Sequence, residues 1–217
     1  MIDKPKKIVV IAPHPDDEVL GAGGTISKFA DMNIETSVLV VSGHLPPLYD
    51  RKAFEITKTE AEKSFKIMKV SNWKFLEIPA TTIHQIPVSE INNKISAFLE
   101  THAPDWVLIP FPDRHIDHRT IFDAAVVCCR PNKKNFPRVV LAYETLSETH
   151  WNVPGIEASF NPEFFVDTSQ YIKQKEQALS SYKSQIKNNN SRSVDACLAL
   201  AKFRGSQNGC DYAEAFK

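Results

Sequence analysis

Short apolar runs alternate with longer amphipathic stretches through the first two-thirds of the chain. Ile8-Val9-Val10-Ile11-Ala12 is β-branched and uninterrupted, the pattern of a strand covered on both faces. Ser37-Val38-Leu39-Val40-Val41 repeats it and stops at Ser42-Gly43. Three more runs predict strands: Trp73 to Ile78, stopped at Pro79; Trp106 to Ile109, stopped at Pro110; and Val139 to Tyr143. Between them the apolar spacing turns helical, from about Glu18 to Met32, Arg51 to Lys69, Val88 to Leu99 and His118 to Cys129.

This alternation predicts an α/β fold, a doubly wound, mostly parallel, Rossmann-like sheet with helices on both faces. The last third differs. Residues 146–163 read as loop, Phe164-Phe165-Val166 as a short strand, and 169–184 and 193–204 as helices, separated by the polar stretch Asn188-Asn189-Asn190-Ser191. With no internal repeat and no long linker, residues 1–217 read as one domain, an α/β core over about 6–145 with a helical portion over about 146–217.

Composition narrows the class. At 217 residues, the chain buries roughly 70–75% of its unfolded surface and needs no disulfide or structural metal for its core. Lysine plus arginine and aspartate plus glutamate number 26 each, which argues against nucleic acid as a partner. Cys128, Cys129, Cys197 and Cys210 form no CxxC pair, and they suit buried thiols in a reducing cytoplasm. No apolar run approaches the roughly 20 residues of a membrane span, and no signal core opens the chain, so a soluble cytoplasmic protein is expected.

Two segments carry chemistry. Pro13-His14-Pro15-Asp16-Asp17-Glu18 follows the first strand, and Asp113-Arg114-His115-Ile116-Asp117-His118 follows the fourth. In the common strand order 3-2-1-4-5 those strands are neighbours, and their C-terminal ends flank the switch point where open α/β sheets bind ligands. His14, Asp17 and one histidine of the second segment then make a two-histidine, one-carboxylate set. Zinc accepts such a set and keeps a position for water, whose pKa falls to roughly 7. Asp16 is left to take the proton as a base, and the other imidazole to donate to a developing oxyanion. Spacing leaves open whether His115 or His118 is the ligand. Each segment alone has a plainer reading, since aspartates cap helix N-termini and His115 to His118 could be an ordinary helix start. The two together at adjacent strand ends favour the site.

On these residues the sequence resembles the PIG-L/LmbE-like N-deacetylase family, whose signatures are a PHPDDE-type segment and an HxDH segment. The resemblance implies that His14, Asp17 and His118 bind zinc. A mononuclear catalytic site holds about one ion per chain, and iron or another divalent metal could use the same ligands. The resemblance also implies that Asp16 is the general base, that His115 stabilises the oxyanion, and that Asp117 orients or tunes a histidine. It further implies removal of an N-acetyl group from an N-acetylglucosamine-type unit of a glycoconjugate or small metabolite.

Substrate contacts are less defined. Many relatives carry an arginine near the start of the helix after the second strand; Arg51 and Lys58 are the candidates here, and either can be a solvated surface charge. Glu144, after the fifth strand, could hold a sugar hydroxyl or a structural hydrogen bond. His150, beside Trp151, suits a sugar-facing loop, whereas His44, His84 and His102 read as ordinary histidines. The Leu45-Pro46-Pro47-Leu48-Tyr49 loop could line a sugar site or pack as a turn. Arg204 is expected to complement a helix C-terminus. Gly21-Ala22-Gly23-Gly24 lies inside a helix without GxGxxG spacing, so close packing explains it better than a dinucleotide.

Three readings compete with the amino-sugar deacetylase. One is an amidase of the same mechanism acting on a thiol conjugate or a non-sugar amide. Another is a non-catalytic nucleotide- or sugar-binding α/β module. The third, a glycosidase pairing Asp16 with Asp113 or Asp117, leaves the histidines idle. Oligomeric state is open: helices of the last third can form a homo-oligomer interface or roof the crevice.

Overall fold

The computed structural model describes residues 3–131, 135–186 and 191–217. Asn188 to Asn190 of the expected polar connection lie outside the described residues. Seven strands form one sheet in the order β3-β2-β1-β4-β5-β7-β6. They are β1 (Lys7–Ala12), β2 (Glu35–Gly43), β3 (Asn72–Pro79), β4 (Trp106–Pro110), β5 (Val139–Tyr143), β6 (Phe164–Asp167) and β7 (Ala213–Phe216). Strands β1 to β5 pair in parallel, and β7 pairs antiparallel with both β5 and β6. The mostly parallel α/β sheet is as expected, and its order over the first five strands is the common doubly wound one.

The uninterrupted apolar strands follow from two buried faces. Side chains alternate across a strand, so Ile8, Val10 and Ala12 join one core while Val9 and Ile11 join the other. The first core is closed by α1 (Asp17–Asp31), α2 (Arg51–Ile67) and α5 (Ile172–Leu179), and the second by α3 (Val88–His102) and α4 (Ile116–Cys128). α6 (Val194–Asn208) packs on β6 and β7. Gly21 lets α1 lie against β5: a Cβ there would stand 2.2 Å from the Tyr143 ring. That is the close packing expected of the glycine cluster.

Three elements depart from expectation. α4 begins at Ile116, ahead of His118, because His115 caps it: its Nδ1 accepts the Asp117 N–H at 3.1 Å. α5 is one short helix within 169–184, preceded by a 3-10 turn at Ser169–Tyr171. The last third also adds β7, which local pattern does not predict because a charged residue sits inside it. Glu214 is buried there, accepting Lys175 Nζ at 2.6 Å and the backbone N–H groups of Gly24 and Thr25 at 2.8 and 2.7 Å. That clasp joins β7, α5 and α1. Among the described residues, no helix is long and apolar enough to cross a membrane.

Candidate metal centre

β1 and β4 are direct neighbours, and β2 leaves β1 on the opposite side, so the switch point opens between Ala12 and Pro110. The chain leaves β1 through Pro13, whose carbonyl accepts the Ser42 N–H at 2.8 Å and the Ser42 hydroxyl at 3.0 Å. The end of β2 thereby pins the first chemical segment, and the start of α4 carries the second.

Three atoms converge in the cleft. Asp17 Oδ2 lies 3.1 Å from His14 Nδ1 and 3.3 Å from His118 Nε2. Metal–ligand bonds of about 2.0–2.1 Å at tetrahedral angles put ligand atoms about 3.3 Å apart, so this spacing fits a zinc-sized ion. Each imidazole is held from behind by a carboxylate. His14 Nε2 lies 2.9 Å from Asp117 Oδ2, which also accepts the Thr81 N–H at 2.7 Å. His118 Nδ1 lies 2.9 Å from Asp113 Oδ2, which also accepts the Thr149 hydroxyl at 3.0 Å. A carboxylate on the far nitrogen keeps the proton there and turns the near lone pair inward, the usual outer shell of a histidine ligand. His118 Nε2 itself is buried without a hydrogen-bond partner among the described residues, although Asp17 is near. The donor set therefore fits a divalent metal. His14, His115 and Asp117 form a second, overlapping group of donor atoms.

Crowding of charge shifts both histidines. Burial opposes a charged His14, but Asp117 and Asp17 overcome it and raise its pKa to about 9. Burial likewise opposes a charged His118, and Asp17 and Asp113 raise it to about 10. The Asp17 carboxyl, penalised by burial, is held well below its usual range by His118 and His14. A carboxylate and two cationic imidazoles are what three ligand groups become when protons stand in for a cation.

Asp16 is not the helix cap that its position suggests. Its side chain makes no capping bond, and its backbone takes φ 116°, ψ −25°, a conformation costing roughly 1–3 kcal/mol for a residue with a Cβ. Glu18 Oε2 accepts the Asp16 N–H at 3.2 Å, and Glu18 Oε1 takes the Tyr182 hydroxyl at 2.5 Å, so the strained peptide is clamped from below. The Asp16 Oδ2 atom is buried and without a hydrogen-bond partner among the described residues. Burial pushes its carboxyl up to about 7, against the pull of Arg192, whose Nη1 stands 3.8 Å away. His115 stays neutral, lowered to about 4 by burial and the neighbouring His14 and His118. Because its Nδ1 accepts a backbone N–H, the ring proton belongs on Nε2, where it can be donated.

The other anticipated contacts are spent elsewhere. Arg51 donates to Glu77 at 2.7 Å and lies 3.4 Å from Glu55, while Lys58 donates to Glu77 at 3.0 Å. Glu144 is buried with both oxygens taken: Arg204 Nε and Nη2 donate to Oε1 and Oε2 at 2.7 Å each, and His150 Nε2 lies 2.7 Å from Oε2. Both Glu144 oxygens thus hold protein donors, and the carboxylate links α6 to the end of β5. Arg204, expected at a helix end, is instead its buried bidentate partner. His150 is exposed, on the same loop as the exposed Trp151. His84 is exposed and His102 packs on Phe98, as ordinary histidines do. His44 lies tilted against Tyr49, with ring centroids 4.5 Å apart. Two residues were missed. Asp113 was findable, standing five positions before His118 in the same segment; Arg192 sits in a polar stretch with no local signal.

Comparison with known proteins identifies the family. The family described as PIG-L: GlcNAc-PI de-N-acetylase matches residues 9–129, which include both chemical segments. The diacetylchitobiose deacetylase of Thermococcus kodakarensis is 27% identical, covering 98% of this chain and 82% of its own. A probable N-acetyl-alpha-D-glucosaminyl L-malate deacetylase 2 of Bacillus cereus is 24% identical over 83% of this chain and 84% of its own. Among solved structures, the 4-carboxy-2-hydroxymuconate hydratase GalB of Pseudomonas putida KT2440 superposes with a TM-score of 0.78 at 17% identity, covering 98% of this chain and 95% of that one. A hydratase on the same scaffold shows that the fold alone does not choose the reaction. With a match over more than half its length that spans both histidine–aspartate segments, the chain belongs to the PIG-L (GlcNAc-PI de-N-acetylase) family.

Proposed function

We propose that this protein is a zinc-dependent N-deacetylase that releases acetate from an N-acetylglucosamine-type unit. The observation that carries the reading is the convergence of His14 Nδ1, Asp17 Oδ2 and His118 Nε2 beside the unpartnered Asp16 Oδ2. The names of its relatives from Thermococcus kodakarensis and Bacillus cereus support the N-acetylated sugar.

His14, Asp17 and His118 hold the metal, one ion per chain. When bound, zinc supplies a Lewis acid that polarises the amide carbonyl and activates water near neutral pH. Asp16 Oδ2 accepts the proton of the attacking water and returns it to the departing nitrogen. His115 donates its Nε2 proton as a hydrogen bond to the oxygen that gains negative charge. Asp117 and Asp113 do not touch substrate; they fix the orientation and tautomer of His14 and His118. Cys128, Cys129 and Cys197 are buried, as structural thiols are in a reducing compartment such as the cytoplasm, which supports placing the enzyme there.

Metal analysis joined to an acetate assay tests the reading. Zinc-loaded protein should hold about one ion per chain, and His118→Ala should lose both the ion and turnover. Protein that binds no zinc on loading would end the mechanism. Turnover of a non-sugar amide, with every N-acetyl sugar inert, would end the substrate assignment.

A further inference from the structure

Glu18 is the second residue of α1 and reaches back to the helix start. Its Oε2 accepts the Asp16 N–H at 3.2 Å. A glutamate in the first turn of a helix usually stands in solvent and keeps several rotamers. Glu18 is instead fully buried, and its other oxygen accepts the Tyr182 hydroxyl. Tyr182 is just as buried, in the first core beyond the end of α5. Its N–H donates to the Leu179 carbonyl at 3.0 Å, and its carbonyl accepts the Ile186 N–H at 2.8 Å. Two positions on, Ser184 is fastened to Glu60 of α2, by its N–H at 3.0 Å and its hydroxyl at 2.6 Å. The tyrosine is thereby held at its backbone and at its tip.

We infer that Tyr182 is a positioning residue for Asp16, acting through Glu18. The inference rests on the deacetylase reading above, in which Asp16 is the base. The Asp16 backbone is anchored on both sides. Its carbonyl accepts the Leu20 N–H at 2.9 Å, within α1, and its N–H is held by Glu18. The angle φ is a rotation about a bond between those two groups, so the anchors together keep it at 116°. A residue with a Cβ resists that value, and freeing the N–H lets the peptide turn back. The carboxylate turns with it, because Asp16 Oδ2 has no hydrogen-bond partner of its own among the described residues. Glu18 holds the N–H only while its own carboxyl is fixed, and the Tyr182 hydroxyl binds the oxygen that Asp16 leaves free. A hydroxyl 164 positions along the chain from Glu18 thus aims the base without touching substrate.

Tyr182→Phe deletes the hydroxyl and keeps the ring, and two readouts on zinc-loaded protein test it. The first is amide hydrogen exchange at Asp16, followed by NMR. It should quicken about tenfold, the effect of one net hydrogen bond, while amides in the middle of α1 keep their wild-type rates. The second is acetate release from N-acetylglucosamine and N,N'-diacetylchitobiose. There kcat should fall about tenfold with KM within about twofold of wild type, and zinc content should hold. Phe65→Leu, trimmed from the same core, is the packing control. It should lower the urea midpoint and leave both readouts at wild-type values. In a double-mutant cycle, Tyr182→Phe should cost less than about twofold once Glu18→Ala is in place. Should Glu18→Ala fail to fold, Tyr182→Phe against Phe65→Leu decides alone. Asp16 exchange or kcat indifferent to Tyr182→Phe, equal losses in Phe65→Leu, or additive losses in the cycle would overturn the inference. Tyr182-dependent exchange in a wild type that releases no acetate would remove the deacetylase reading and leave the clamp standing. Acetate release with unchanged Asp16 exchange would do the reverse, and failure of both readouts would remove both.

Discussion

Two histidine–carboxylate clusters built on buried carboxylates lie on the same edge of the sheet, and they differ in what they leave undone. Around Glu144, Arg204 and His150 fill both carboxylate oxygens. Around Asp17, with His14 and His118, three atoms stay without a hydrogen-bond partner among the described residues: Asp16 Oδ2, Asp117 Oδ1 and His118 Nε2. A buried polar atom left unpaired costs roughly 1–3 kcal/mol, so a fold retains several together only where something else completes them. Residue type alone does not separate the two clusters, whereas the count of satisfied atoms does. The saturated one ties α6 to the end of β5, and the unsaturated one is the candidate reaction centre.

The contrast can be broken from either side. Asp16→Asn removes the base and keeps the shape, so kcat should fall about 10³-fold while zinc content holds; activity surviving within tenfold would move the base elsewhere. Arg204→Met should act in the opposite sense, leaving the buried Glu144 with His150 alone and lowering stability by about 3 kcal/mol in urea unfolding. Its zinc content should stay at the wild-type value, and an unchanged unfolding midpoint would show that the saturated cluster is not an anchor. Asp113→Asn should weaken zinc affinity by about 10–100-fold in chelator competition, through loss of the hold on His118.

The smallest effect sharpens the same comparison by pH. Burial opposes an ionised Glu144, but hydrogen bonds from His150 and Arg204 overcome it and lower its pKa. A carboxyl lower in the folded state than its unfolded value of about 4.3 contributes stability above that value and loses it as pH falls toward the folded pKa. Unfolding measured at pH 7, 5 and 3.5 should therefore show the wild type losing more stability to acid than Arg204→Met loses. Equal losses would detach Glu144 from the acid response.

The two clusters were not equally legible in the sequence. His14, Asp16, Asp17, His115 and His118 fall in two short segments, each directly after an apolar run, so local pattern and a common strand order suffice to bring them together. The first five strands are legible for the same reason. Glu144 and Arg204 are 60 positions apart and meet only because β7 enters the sheet between β5 and β6, carrying a buried glutamate in place of an apolar repeat. Arg192 reaches Asp16 across the fold in the same way. Pairings made by tertiary entry of a late element leave no periodicity behind, so the sequence offers Glu144 equally for a sugar hydroxyl or a structural hydrogen bond and gives no sign of Arg204 as its partner.

The backbone at Asp16 carries one more consequence. Its φ of 116° is one that glycine adopts without penalty and that other side chains resist. Glycine here would relieve the strain and, on the proposed role of Asp16 as base, abolish turnover in the same step. A thermostabilised variant that keeps its activity must then find its gains away from this peptide.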